Sequence, residues 1–195
     1  MKLLPGLILT ALILAGCTMG GSAVEEPSFY LLRADTRLPD APQPAPVSVG
    51  IGRVSIADYL AQAGIVVATS GDRVRPAHLH LWAEPLDSAI RLFLRDAISA
   101  EAGYLISADT ARRGSWDYRL DIRIDEWHGS LAGDVRIRAS WTLINTANDH
   151  EVAGHRFERT AMQADDGYEA LVATQKRLLA DLAGGIAASL VDLDD

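Results

Sequence analysis

Hydrophobic and polar positions alternate most clearly in the second half of the chain. Between residues 117 and 127 the even positions Tyr118, Leu120, Ile122 and Ile124 are apolar, while Asp117, Arg119, Asp121, Arg123 and Asp125 are charged. A period of two predicts a strand with one buried face. Val135, Ile137, Ala139, Trp141 and Leu143 repeat the pattern, and residues 150–160 repeat it more weakly. Turn-forming stretches at 128–133 and 145–149 separate these runs, so together they predict a three-stranded meander.

Helical spacing flanks the meander. Leu86, Ile90, Phe93, Leu94, Ala97 and Ile98 fall on one helix face, with Pro85 suited to the first turn and Gly103 to the stop. A second stripe, Leu171, Val172, Leu178, Leu179, Leu182, Ile186 and Leu190, begins near Asp165 and Asp166. Carboxylates there suit the positive end of a helix. Gly184 and Gly185 soften this helix by about 1 kcal/mol each relative to alanine, and the pair predicts close packing on the sheet.

Nearer the amino end, strands are predicted at 29–32, 47–56 and 65–69, with a turn at Asp58, Tyr59 and Leu60. Ser70, Gly71 and Asp72 read as a hairpin turn, and residues 73–81 as an edge strand broken by Pro76. Prolines 39, 42, 44 and 46 mark an extended connector. The order strands, helix, three strands, helix predicts an α+β fold. Its simplest form is a two-layer sandwich, a mixed, mostly antiparallel sheet with two main helices packed on one face.

The first residues belong to none of this. Lys2 is followed by a largely apolar run from Leu3 to Ala15, interrupted by Pro5, Gly6 and Thr10. It is shorter than the roughly 20 residues needed to span a bilayer, so it reads as an export signal. Leu14-Ala15-Gly16-Cys17 looks like the lipobox of bacterial lipoproteins. That likeness implies cleavage between Gly16 and Cys17, a diacylglycerol on the Cys17 sulfur, and an acyl chain on the new amino terminus. Cys17 is the only cysteine, and lipidation explains an unpaired thiol in an exported chain. The expected division is signal peptide 1–16, lipidated flexible tether 17–28, and one domain, 29–195. The tether spans on the order of 20 Å. Thr18 follows the cysteine where an Asp would signal inner-membrane retention in enteric-type bacteria, so the outer membrane is the expected destination.

Composition narrows the partners. The chain is 49% hydrophobic, a globular value, with a formal charge of −8. Removing Lys2 with the signal leaves 17 basic against 26 acidic residues, a charge of −9. Such a domain is not expected to bind nucleic acid or anionic lipid heads, so acyl chains are its expected membrane contact.

Catalytic patterns are lacking: there is no GxSxG elbow, no HExxH and no Walker loop. Gly50-Ile51-Gly52 lacks the third glycine of a dinucleotide site. His78 and His80 share a strand face as two metal ligands would, but no nearby Cys or Glu completes a set. Asp165 and Asp166 read as a helix cap rather than a glycosidase pair. No catalytic residue, metal site or cofactor beyond the covalent lipid is expected.

Three motifs remain: the opening Phe29-Tyr30-Leu31-Leu32, the stretch Val49 to Val54 with Asp58-Tyr59-Leu60, and Trp82-Ala83-Glu84-Pro85-Leu86. The string VGIGRVSIADYLAQAGIVVATSGDRVRPAHLHLWAEPLDSAIRLFLRDAI closely resembles the ABC-type transport auxiliary lipoproteins, the PqiC/YmbA group. That group shows a Tyr/Leu opening, a "VGPVSLPDYLDRPQIV"-like strand-turn-strand and a "WAEPL"-like helix start, in this order. The resemblance covers essentially the mature chain. It departs at Arg53, where the family often has proline, and at Ala61-Gln62-Ala63, where a charged or proline-containing turn is common.

The resemblance implies a non-catalytic subunit of an MCE-type lipid-transport system. Its expected partner is the MCE-domain periplasmic protein, and a homo-oligomer is a further expectation. Tyr30, Tyr59, Trp82, Glu84 and Pro85 are the candidate partner-binding or structural residues. Two other readings compete: a lipid-binding module holding an acyl chain between sheet and helices, and an anchored hydrolase.

Overall fold

The computed structural model describes residues 25–36, 45, 47–109, 111 and 115–191. Gly16 and Cys17, the first part of the tether, most of the proline-rich connector and the acidic end after Val191 lie outside the described residues. The elements are strands β1 (Ser28–Tyr30), β2 (Val49–Ile56), β3 (Gly64–Ala68) and β4 (Val74–Trp82), helix α1 (Leu86–Ala102), strands β5 (Tyr118–Gly129), β6 (Asp134–Asn145) and β7 (His150–Met162), and helix α2 (Tyr168–Val191). A 3-10 turn, Asp58–Leu60, joins β2 to β3.

The seven strands form one mixed sheet in the order β1-β4-β3-β5-β6-β7, with β2 also on β5. The meander is antiparallel throughout. β2 and β3 share the other edge of β5. β2 runs parallel beside Tyr118 to Ile124, and β3 touches β5 at the Val67–Gly129 pair. The Asp58–Leu60 turn steps between them.

Both helices lie on one face, as the amphipathic stripes require. α1 packs on α2 and β2, and α2 covers β5, β6 and β7. Ile90, Leu94, Leu120, Ile122, Leu178 and Leu179 are buried between the layers. Each fully buried aliphatic side chain of this kind stabilises by roughly 1.5–3 kcal/mol relative to exposure. Arginines and acids decorate the opposite face in close pairs, Arg138–Glu126 at 2.9 Å and Arg123–Asp125 at 2.7 Å. These charges are partly exposed and contribute little individually.

Several details depart from the pattern along the chain. β5 changes phase: Ile124 pairs with Ala139 but Glu126 with Arg138, so Asp125 is an extra, bulged residue. The bulge turns Trp127, at an odd position, into the same core as Leu120, Ile122 and Ile124. β4 is not a simple edge, because β1 covers its last three residues, His80–Trp82. Pro76 lies outside that overlap, where its missing N–H costs no pairing with β1. α2 starts at Tyr168, after Gly167 at φ 101°, so Asp165 and Asp166 precede the helix. A methyl group on Gly185 would meet Trp141 and Phe157 at ordinary contact distances of 3.6 and 3.8 Å, and one on Gly184 would meet nothing within 4 Å. The glycine pair is therefore not required by close packing.

Candidate functional site

Two of the three motifs meet at the end of β4. Tyr30 on β1 pairs with Trp82 on β4, and the Ala83 N–H donates to the Tyr30 carbonyl at 2.9 Å. Leu32 is 1% exposed in the core, whereas Phe29 and Leu31 point outward at 64% and 56%. Alternation along a two-faced strand thus separates the Tyr/Leu pair from its neighbours. Arg33 reaches Glu84 in an ion pair and also donates to the Leu32 carbonyl, 2.7 Å away. The pairing holds the Glu84 carboxyl below its usual range and raises the Arg33 guanidinium. Pro85, extended at φ −53°, supplies the carbonyl that accepts from Ala89 N–H, 3.0 Å away, at the start of α1.

Trp82 is the hub. Its N–H donates to the Ala63 carbonyl at 2.8 Å, and its ring stacks on Trp127 with centroids 5.5 Å apart. Trp127 Nε1 donates to the Gln175 carbonyl of α2 at 3.3 Å. A surface groove of about 540 Å³ lies beside this corner, lined by Val54, Ile56, Ala61, Trp82, Pro85 and Leu86, among others. The second motif therefore reaches the corner through Val54 and the residues after its turn.

Tyr59 goes elsewhere. Its hydroxyl is hydrogen-bonded to His128 Nδ1 at 2.8 Å, in a polar cleft of about 580 Å³ between the β3–β4 hairpin and β5. Burial raises the Tyr59 phenol and lowers the His128 imidazole, so both are held neutral. The structure therefore joins Tyr30, Trp82, Glu84 and Pro85 and separates Tyr59 from them.

Arg33, Arg91, Trp127 and His128 are the site residues that sequence patterns missed. Apart from the adjacent Leu32 carbonyl that Arg33 also meets, their partners lie between 39 and 69 positions away, so no local spacing marks them. Arg91 donates to the Ile51 and Gly52 carbonyls, at 2.9 and 2.5 Å, where β2 shifts register against β5. From the other side, the Asp121 carboxylate accepts the Arg53 N–H at 2.7 Å. A Cβ on Gly50 would lie 2.0 Å from the Trp116 ring, and one on Gly52 would lie 2.2 Å from Asp121. The Gly-Ile-Gly spacing thus serves close cover of β2 by side chains. His80 is also committed: Tyr30 bonds its Nδ1 at 2.9 Å and Tyr168 stacks on its ring at 3.8 Å. Among the described residues, no group of three His, Cys, Asp or Glu is placed to hold a metal.

One helical layer on a mixed sheet, with Tyr30, Trp82, Glu84 and Pro85 committed to packing between β1, β4 and α1, defines an α+β two-layer domain. Residues 30–187 match the family described as the ABC-type transport auxiliary lipoprotein component, and the chain belongs to that family. The chain is 26% identical over 165 residues to the intermembrane transport lipoprotein PqiC of Escherichia coli strain K12, covering 84% of each protein. The Shigella flexneri protein of the same name gives the same figures. The crystal structure of an uncharacterized protein superposes with a TM-score of 0.69 at 27% identity, covering 85% of this chain and 99% of that one. Protein XCC0632 from Xanthomonas campestris gives 0.67 at 16% identity, with 82% and 92% covered, a likeness of fold.

Proposed function

We propose that this chain is the non-catalytic, lipid-anchored subunit of an MCE-type intermembrane lipid-transport system, docking the MCE-domain assembly at the periplasmic face of the outer membrane. The observation that carries the reading is family membership over residues 30–187, with PqiC relatives named as intermembrane transport lipoproteins. The family is one of transport auxiliary components, not of enzymes. No helix among the described residues is long and apolar enough to cross a membrane. In this reading the acyl chains on Cys17 make the attachment, and two or more chains on one residue hold far better than one. The motif corner and its groove are the surface offered to the partner.

Affinity purification of the full lipidated chain from its native membranes tests the reading. An MCE-domain protein should co-purify, and Cys17→Ser should move the chain from the membrane to the soluble fraction. Failure to recover any such partner with the anchor intact overturns the docking role. The competing idea of an acyl chain held between sheet and helices meets an interlayer already filled by Ile90, Leu94, Leu120 and Leu178.

A further inference from the structure

The outer edge of β1 is apolar and open. This strand ends the sheet on the side opposite β7. Phe29 and Leu31 are 64% and 56% exposed there. Phe29 pairs with Leu81, which is partly buried but takes no part in the hydrophobic core. Because Tyr30 and Trp82 turn toward the core, Phe29 and Leu81 share the helix-free face. Leu31 also lines a groove of about 470 Å³ on the helix side, with Ala34, Phe93 and Val172 in its wall. Apolar surface therefore runs from Leu81, round the β1 edge, into the space between α1 and α2. An exposed patch of this kind marks contact with a protein or a membrane.

Three observations favour a membrane. β1 is only three residues long and follows Pro27, so it offers little backbone for another strand to pair with. Ser28 stands eleven residues after Cys17, so a lipid on that sulfur holds this edge within about 20 Å of the bilayer. Charge is also balanced at the groove, where Lys176 and Arg177 stand with Asp35 and Glu169, in a chain that is strongly acidic as a whole. Lys176 Nζ bonds the Asp35 carboxylate at 2.7 Å. Glu25 and Glu26 lie just before the strand, so the contact suits a zwitterionic leaflet. We propose that the β1 edge, through Phe29, Leu31 and the adjoining groove, seats on the headgroup–acyl boundary of the bilayer that holds Cys17 and so orients the domain. This rests on the lipid anchor proposed above. The acyl chains limit distance, and the patch fixes rotation. β1 lies at the bilayer, and β7 stands five strand spacings away, roughly 24 Å.

Fluorescence quenching in vesicles tests the seating. Full-length lipidated chains carrying Leu31→Cys or Val152→Cys are labelled with a fluorophore at the new thiol; acylated Cys17 takes no label. Val152, on β7, is 47% exposed and serves as the distant position. The chains are incorporated into phosphatidylcholine vesicles whose lipid carries a nitroxide on its acyl chain. Flotation of the vesicles reads the anchor, and quenching reads the patch. The label at 31 should be quenched at least threefold more than the label at 152. Phe29→Asp, at an exposed position, should remove at least half of that difference while the chain still floats. Floating chains whose two labels are quenched alike overturn the proposal and leave the anchor standing, the result expected if a second copy or another protein covers the edge. Quenching that Phe29→Asp does not change also overturns it. Chains that do not float overturn the anchor and this inference together.

Discussion

Asp121 shows how one side chain can do the work of a missing strand contact. β2 slips in register between Ile51 and Val54, and the Asp121 carboxylate accepts the Arg53 N–H left over there. Proline, which the family often has at this place, carries no N–H and so leaves nothing to satisfy. Asp121→Ala should therefore destabilise the domain by about 1 kcal/mol, the usual size for one such hydrogen bond. Arg53→Pro should cost less in the Asp121→Ala background than alone. Chemical denaturation of the four chains gives the coupling, and simple additivity would contradict this account. Gly50 is a sharper case. A methyl group there overlaps the Trp116 ring, so Gly50→Ala should cost about 1–3 kcal/mol or more.

Elements were legible wherever a period ran unbroken. β6 alternates without interruption, and its buried residues Val135, Ile137, Ala139, Trp141 and Leu143 are those the pattern selects. β5 was legible only as far as Ile124, because the bulge at Asp125 inverts the parity that alternation relies on. α1 was legible at both ends: Pro85 opens it, and Gly103, at φ 77°, closes it in the left-handed conformation. α2 differs at its glycines. Gly184 meets nothing within 4 Å, so helix propensity should govern that position. Gly184→Ala should stabilise by about 1 kcal/mol, seen as a raised midpoint in thermal melts. A lowered midpoint would mean the position is covered by something else.

At the scale of the molecule, elements far apart in sequence settle what the polar residues do. His128, from β5, is half-buried against Tyr59 from the turn after β2. Burial lowers its folded pKa below the ordinary 6.5. Below about that pH the unfolded chain takes up a proton that the folded chain resists, so stability is lost as pH falls. The melting temperature of His128→Gln should therefore drop less between about pH 7.5 and 5.5 than that of the parent. Equal drops would show that this histidine titrates alike in both states. Arg33 and Glu84 follow the same logic of distance: β1 and β4 bring them together, and neither residue's neighbours in the chain announce it.

By itself the sequence determined the α+β class, the meander, the helix stripes and the family, because periodicity and motif order are local properties. The division into signal, tether and domain, and the lipid on Cys17, are sequence readings that still rest on the residues alone. Only the tertiary structure decided that Trp82 stacks on Trp127, that Tyr59 leaves the other motif residues for His128, and that Gly-Ile-Gly lies under Trp116 and Asp121. Each of those facts joins residues between 45 and 69 positions apart, and a contact at that range is fixed by how strands pair and layers pack.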